Sequence, residues 1–104
     1  MVDNPHYLYR MTILVAIANL APVVSHDVLC NSMLPVIVAC AKDRVPNIKF
    51  NVAKLLKDLM PLVDIAEVET VIRPCLLELR ADTDADVRYY AHQALDAGEL
   101  TSTA

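Results

Sequence analysis

The chain has 104 residues, 9 Lys+Arg against 13 Asp+Glu, a net charge of −4 and a hydrophobic fraction of 56%. That length suits one modest domain or a few units of a repeat, and the acidic balance argues against a nucleic-acid module, whose footprint is basic. A single Gly excludes the Gly-rich phosphate loops, and with no Trp and one Phe it also argues against a turn-rich sandwich or barrel.

The first element is expected from Pro5 to about Val23, an apolar helix opened by PHYLYR. Its most apolar stretch, Met11 to Val24, contains Thr12, Asn19 and Pro22. It falls short of the roughly 20 apolar residues a bilayer span needs. The start MVDNPHYLYR shows no basic region followed by an apolar core, so no signal peptide is expected. The next helix runs from Asp27 to Ala41, with Val28, Leu29, Met33, Leu34, Ile37 and Val38 three and four apart. Pro35 lies inside it and predicts a kink. KDRVPN breaks the pattern, and Pro46 suits the first turn of a third helix whose apolar face is Ile48, Val52, Leu55, Leu56 and Leu59, ending at Pro61. A fourth helix, Ala66 to Arg80, is kinked at Pro74. After the turn Ala81-Asp82-Thr83-Asp84, a fifth runs from Ala85 to Ala97, with Asp84 as N-cap and Gly98 as the residue just past its end.

These elements repeat. A shift of 39 sets Pro22 on Pro61, Pro35 on Pro74 and Asp43 on Asp82. Four columns run through three units: Arg10/Lys49/Arg88, Met11/Phe50/Tyr89, Ile13/Val52/Ala91 and Ile17/Leu56/Leu95. The chemical class is kept in each column. The expected architecture is therefore an all-α solenoid of about five antiparallel helices. Residues 1–98 form the repeat segment, divided as a half repeat at 4–26 and repeats at 27–64 and 65–98, with a polar tail at 99–104. Stacked layers also explain how so many apolar residues are buried in so short a chain.

A period of 39 lies nearest to HEAT units among the helical repeats. The kinking prolines Pro35 and Pro74, the turn aspartates Asp43 and Asp82, and the pairs Ile48-Lys49 and Val87-Arg88 resemble that pattern. The strings NPHYLYRMTIL, DRVPNIKFNVAKLL, IRPCLLEL and DADVRYYAHQAL are more specific. They resemble the C-terminal end of the scaffold (A, regulatory) subunits of protein phosphatase 2A, plant-type sequences above all, from Asn4 to about Ala97. The resemblance implies a non-catalytic scaffold segment, a fragment or truncated form. Its partner would be the phosphatase 2A catalytic subunit, held along the ridge of turns between paired helices, while the repeats that dock regulatory subunits are absent. Other HEAT adaptors such as transport receptors, or a HEAT-like DNA-repair enzyme, are the alternatives. The latter would need a basic groove and stacking aromatics, against which the charge of −4 and the lack of Trp weigh.

On this reading the protein-binding residues are Tyr7 and Arg10 at the start of the first helix, and Arg44, Val45, Pro46 and Asn47 in the turn before the third. Val45 is expected to be an exposed apolar tip. The ladder Arg10, Lys49, Arg88 is expected to bridge neighbouring repeats through Asp43 and Asp82. The first helix is expected to expose an apolar face of Met11, Leu14, Val15 and Ala18.

Catalytic, cofactor and metal sites are not expected. His6, His26 and His92 lack metal-ligand spacing, and Cys30, Cys40 and Cys75 include no CxxC, reading instead as reduced, buried small hydrophobes. Glu67, Glu69 and Glu78 read as a solvated face. The expected location is cytoplasmic, extending to the nucleus.

Overall fold

In the computed structural model, residues 5–102 are described, with side chains from 7 to 97. The architecture is all-α, with five helices and no strand among the described residues. Helix α1 spans Pro5–Leu20. Helix α2 is built of three consecutive segments, His26–Val28, Leu29–Met33 and Leu34–Cys40. Helix α3 spans Pro46–Leu59 and passes into a 3₁₀ turn at Met60–Leu62. Helix α4 again has three segments, Ile65–Glu67, Val68–Ile72 and Arg73–Arg80. Helix α5 spans Ala85–Ser102.

The two composite helices show what the internal prolines do. Leu29–Met33 and Val68–Ile72 are π-helical. The Leu34 N–H donates to the Leu29 carbonyl, and the Arg73 N–H donates to the Val68 carbonyl. Each donor directly precedes a proline, and each bond spans five residues rather than four. Pro35 and Pro74 have no N–H to give, and their rings crowd the carbonyl four residues back. Widening that turn by one residue relieves both problems. The kink read from the prolines is thus a π turn, and it recurs at a spacing of 39 residues.

Other local signals also act as read. Pro46 opens α3 after an extended Val45. The Asp84 carboxylate accepts from the N–H groups of Asp86 and Val87 at 2.9 and 3.1 Å, which caps α5. Ser25 does the same for α2, accepting from Val28 at 3.2 Å. Gly98 does not end α5. The helix continues through it to Ser102, and no glycine with positive φ occurs among the described residues. A glycine at a helix end is a stop only when the chain turns left-handed there.

α1, α3 and α5 form one layer and α2 and α4 the other. α3 lies between α1 and α5, and α4 packs on α5. The result is a slab of 44 × 29 × 17 Å, two helices thick. Ile37, Ile48, Val52, Leu56, Ile72, Leu76 and Val87 are fully or almost fully buried in one continuous core.

α1 departs from expectation on one point. Leu14 is 4% exposed and faces the core, and Met11 is half-buried, while Val15 and Ala18 are exposed. Met11 and Leu14 look towards α3, where they line a small groove with Leu55. The uncovered apolar residues of α1 instead include Leu8, Tyr9, Ala16 and Leu20. α1 is apolar on more than one face, so periodicity alone did not settle which face would be inward.

Candidate protein-binding ridge

The two turns that join the layers, at 41–45 and 81–84, lie along one edge of the slab with the first turns of α3 and α5, and the start of α1 joins them. Each turn is organised by its aspartate. The Asp43 carboxylate accepts the N–H of Val45 at 2.9 Å, and Asp82 accepts that of Asp84 at 2.9 Å. The same carboxylates reach back to the preceding repeat. Asp43 pairs with Arg10, which donates from a second guanidinium nitrogen at 3.2 Å, and Asp82 pairs with Lys49. Arg10 and Lys49 are 39 apart, as are Asp43 and Asp82, so the two bridges are one contact repeated. Both are largely shielded, with side-chain exposures of 24% and 9% in the first and 17% and 13% in the second. The Lys49 hydrogen bond holds the Asp82 carboxyl below its ordinary range, helped by the Asp84 N–H and opposed by partial burial. Arg88, the third basic residue of the column, bonds the carbonyls of Asp82 and Thr83 in its own turn, each at 2.9 Å.

The structure brings most of the sequence-identified ridge residues together. Asn47 donates its amide to the Tyr7 hydroxyl, joining the first turns of α1 and α3. Asn51 holds Asn47 from one turn further on, through its carbonyl at 2.7 Å and its side-chain oxygen at 2.9 Å. Arg44 and Pro46 are exposed, and Tyr7 and Asn47 are half-buried. Val45 is not the exposed tip expected of it. It is half-buried and packs against the core, because it is the extended residue that turns the chain into α3. Arg10 is likewise bound to Asp43, so its guanidinium orients the ridge. Asn51 was missed in the sequence. Its signal is the Asn-x-x-x-Asn spacing with Asn47, which puts both side chains on one helix face.

Other features lie apart from the ridge. Phe50 and Tyr90 stack across α3 and α5 with centroids 5.4 Å apart, and the Lys54 ammonium sits 5.2 Å above the Tyr90 ring. A groove of about 400 Å³ between α2 and α4 is lined by Leu34, Val38, Val71 and Cys30. The three thiols are unpaired, and only Cys75 is buried, Cys30 and Cys40 being half-buried. Burial, with the Glu78 carboxylate nearby, pushes the Cys75 thiol up to about 11. Among the described residues no three His, Cys, Asp or Glu side chains converge as a metal site, and no helix is long and apolar enough to cross a membrane.

The A-type regulatory subunit of protein phosphatase PP2A from Saccharomyces cerevisiae is 41% identical over 96 residues, covering 86% of the chain. The chain is similar to part of the phosphatase 2A regulatory (A) subunit. The alpha isoform of the 65 kDa regulatory (A) subunit of phosphatase 2A from Arabidopsis thaliana is 57% identical over 53 residues, or 51% of the chain, and the Drosophila melanogaster 65 kDa regulatory subunit is 40% identical over 55 residues, or 53%. The chain spans only 15% of the yeast protein's length and 9% of the other two. No protein-family model matches the chain. This similarity agrees with the resemblance carried by the sequence motifs and with a repeat built of helix pairs.

Proposed function

We propose that this chain is a non-catalytic scaffold segment whose turn ridge holds the catalytic subunit of a Ser/Thr phosphatase of the 2A type. The observation that carries the reading is the joined ridge itself, in a chain similar to phosphatase 2A regulatory subunits. Tyr7 and Asn47 are locked together across two repeats, beside the exposed Arg44 and Pro46. Tyr and Arg are the side chains that most often anchor interfaces, through large contact area at low entropic cost and through forked hydrogen bonding. Val45 supports the turn from beneath, and Arg10 fixes the turn's orientation through Asp43.

The test is binding of the purified catalytic subunit to the immobilised chain. Losing one anchor of about 2 kcal/mol weakens affinity roughly 30-fold. Tyr7→Ala and Arg44→Glu should each do so. Glu69→Ala should not, since Glu69 lies on α4 beside Arg73 and away from the ridge. Undiminished binding by the Tyr7→Ala/Arg44→Glu double variant would move the contact off this ridge.

A further inference from the structure

The groove of about 400 Å³ in the outer layer is walled by α2 and α4, the corresponding helices of consecutive repeats. Leu34, Val38 and Val71 lie deepest, the first buried and the other two half-buried, and the exposed Pro35 and Ala39 form the rim on α2. Polar groups stand at the ends, Cys30 with Glu67 at one and Lys42 at the other. The helical rise from residue 30 to residue 42 makes the groove about 18 Å long. The two ends differ in charge. Burial, and then the carboxylates of Glu67, Asp64 and Asp27, push the Cys30 thiol up, so three acids gather at that end. His26 lies 3.6 Å from the Cys30 sulfur and 3.5 Å from Asp64, and an ordinary imidazole is neutral above about pH 7. Glu67 is half-buried and pairs with no base among the described residues. At the far end the Lys42 ammonium is already matched by Glu78 at 3.4 Å.

We propose that this groove docks a short amphipathic helix of a partner protein, with apolar side chains along one face and a Lys or Arg set against Glu67. Two features select that occupant. The first is backbone chemistry. Neither wall is a strand edge, and the sides are apolar, so an extended segment laid here would leave its own N–H and C=O groups unpaired, whereas a helix pairs them internally. The second is charge complementarity. The end at Glu67 attracts a cation and repels a carboxylate, while the end at Lys42 is already balanced. Three turns of helix fit the length, enough for three apolar side chains spaced four and three apart. Tyr7, Arg44 and Asn47 take no part in this groove, so the inference stands apart from the ridge.

The probe is a fluorescein-labelled, hydrocarbon-stapled helix of about 14 residues, with three leucines spaced four and three apart and one lysine a turn before the first. Fluorescence anisotropy with the whole chain at about pH 8 should give a Kd on the order of tens of micromolar, as so small a contact implies. Replacing the probe's lysine by glutamate should weaken binding at least ~10-fold, and Glu67→Lys in the chain should reverse that preference. Ala39→Glu, at the exposed rim, should weaken binding at least ~10-fold with the circular dichroism spectrum unchanged, and Tyr89→Ala on α5 should leave it as it was. Bound probe should slow the alkylation of Cys30 by iodoacetamide, and not that of Cys40, which lies near Asp43 and Arg10. No binding at ~1 mM chain, equal binding of the two probes by the unaltered chain, no effect of Ala39→Glu, equal binding of a proline-substituted, non-helical probe, or an unprotected Cys30 would each overturn the proposal.

Discussion

The two junctions between repeats use the same ion pair and little else in common. At the first, α1 meets α3 through Arg10–Asp43 and the polar contact of Tyr7 with Asn47. At the second, α3 meets α5 through Lys49–Asp82, the Phe50–Tyr90 rings and the Lys54 ammonium over Tyr90. The second is also the more extensively packed. The shared bridge sets how far one repeat is turned against the next, because each aspartate is already fixed in its own turn by a backbone N–H. The side chains around it decide how firmly the junction holds. The ridge proposed to bind a partner spans the weaker junction, where fewer packed neighbours constrain Tyr7.

The sharpest way to break this contrast is to cut the same column in both repeats. Leu56 is fully buried, and Leu56→Ala should cost about 2–5 kcal/mol in urea denaturation. Its counterpart Ile17, 6% exposed, should cost about 2 kcal/mol as Ile17→Ala, because α1 can settle into the space. Equal losses would show that the two junctions are equally firm.

Removing the turn aspartates comes next. Asp82→Ala leaves the shielded Lys49 charge unmatched and the Asp84 N–H without its acceptor, a loss of about 1–3 kcal/mol. Asp43→Ala should cost less, since Arg10 is the more exposed of the two bases and can turn to solvent. A larger loss at Asp43 would reverse the ranking of the junctions.

Acid should act on the second bridge. The folded Asp82 carboxyl titrates below its ordinary value of 3.8, so its contribution is present above that value and is lost as pH falls through the lower, folded one. Thermal melts from pH 7 down to pH 2 should show a step in stability that Lys49→Met removes. A step of unchanged size in that variant would assign it to another carboxylate.

The smallest effect is expected on the outer layer. Lys42, in the turn after α2, bridges to Glu78 of α4 at 3.4 Å, but the two are 70% and 71% exposed. Glu78→Ala should change stability by less than about 0.5 kcal/mol. A loss comparable to that of Asp82→Ala would mean that exposed bridges hold the stack as well as shielded ones.

Much of the fold was legible in the sequence for definite reasons. The 39-residue shift, the proline pairs and the apolar face of α3 each reflect a local rule, and local rules are written residue by residue. The partners of the ladder were legible too, since Asp43 and Asp82 recur in step with Arg10 and Lys49. Gly98 was misread because a glycine permits a left-handed turn without requiring it. Val45 was misread because an apolar residue in a loop says nothing of which way the turn will point it. Of the ridge, Tyr7 and Asn47 were singled out separately. Their contact, 40 residues apart along the chain, could not be read from either.

The amino-acid sequence by itself determined the number and period of the helices, the places where they start, and the two points where a proline must deform them. These depend on hydrogen-bond donors, side-chain branching and apolar spacing within a few residues. Tertiary structure decided the rest: that Leu14 is buried while Tyr9 is not, and that Tyr7 of α1 meets Asn47 of α3. Those outcomes depend on which neighbour covers a helix face, and an apolar residue has the same side chain whether a neighbour covers it or water does.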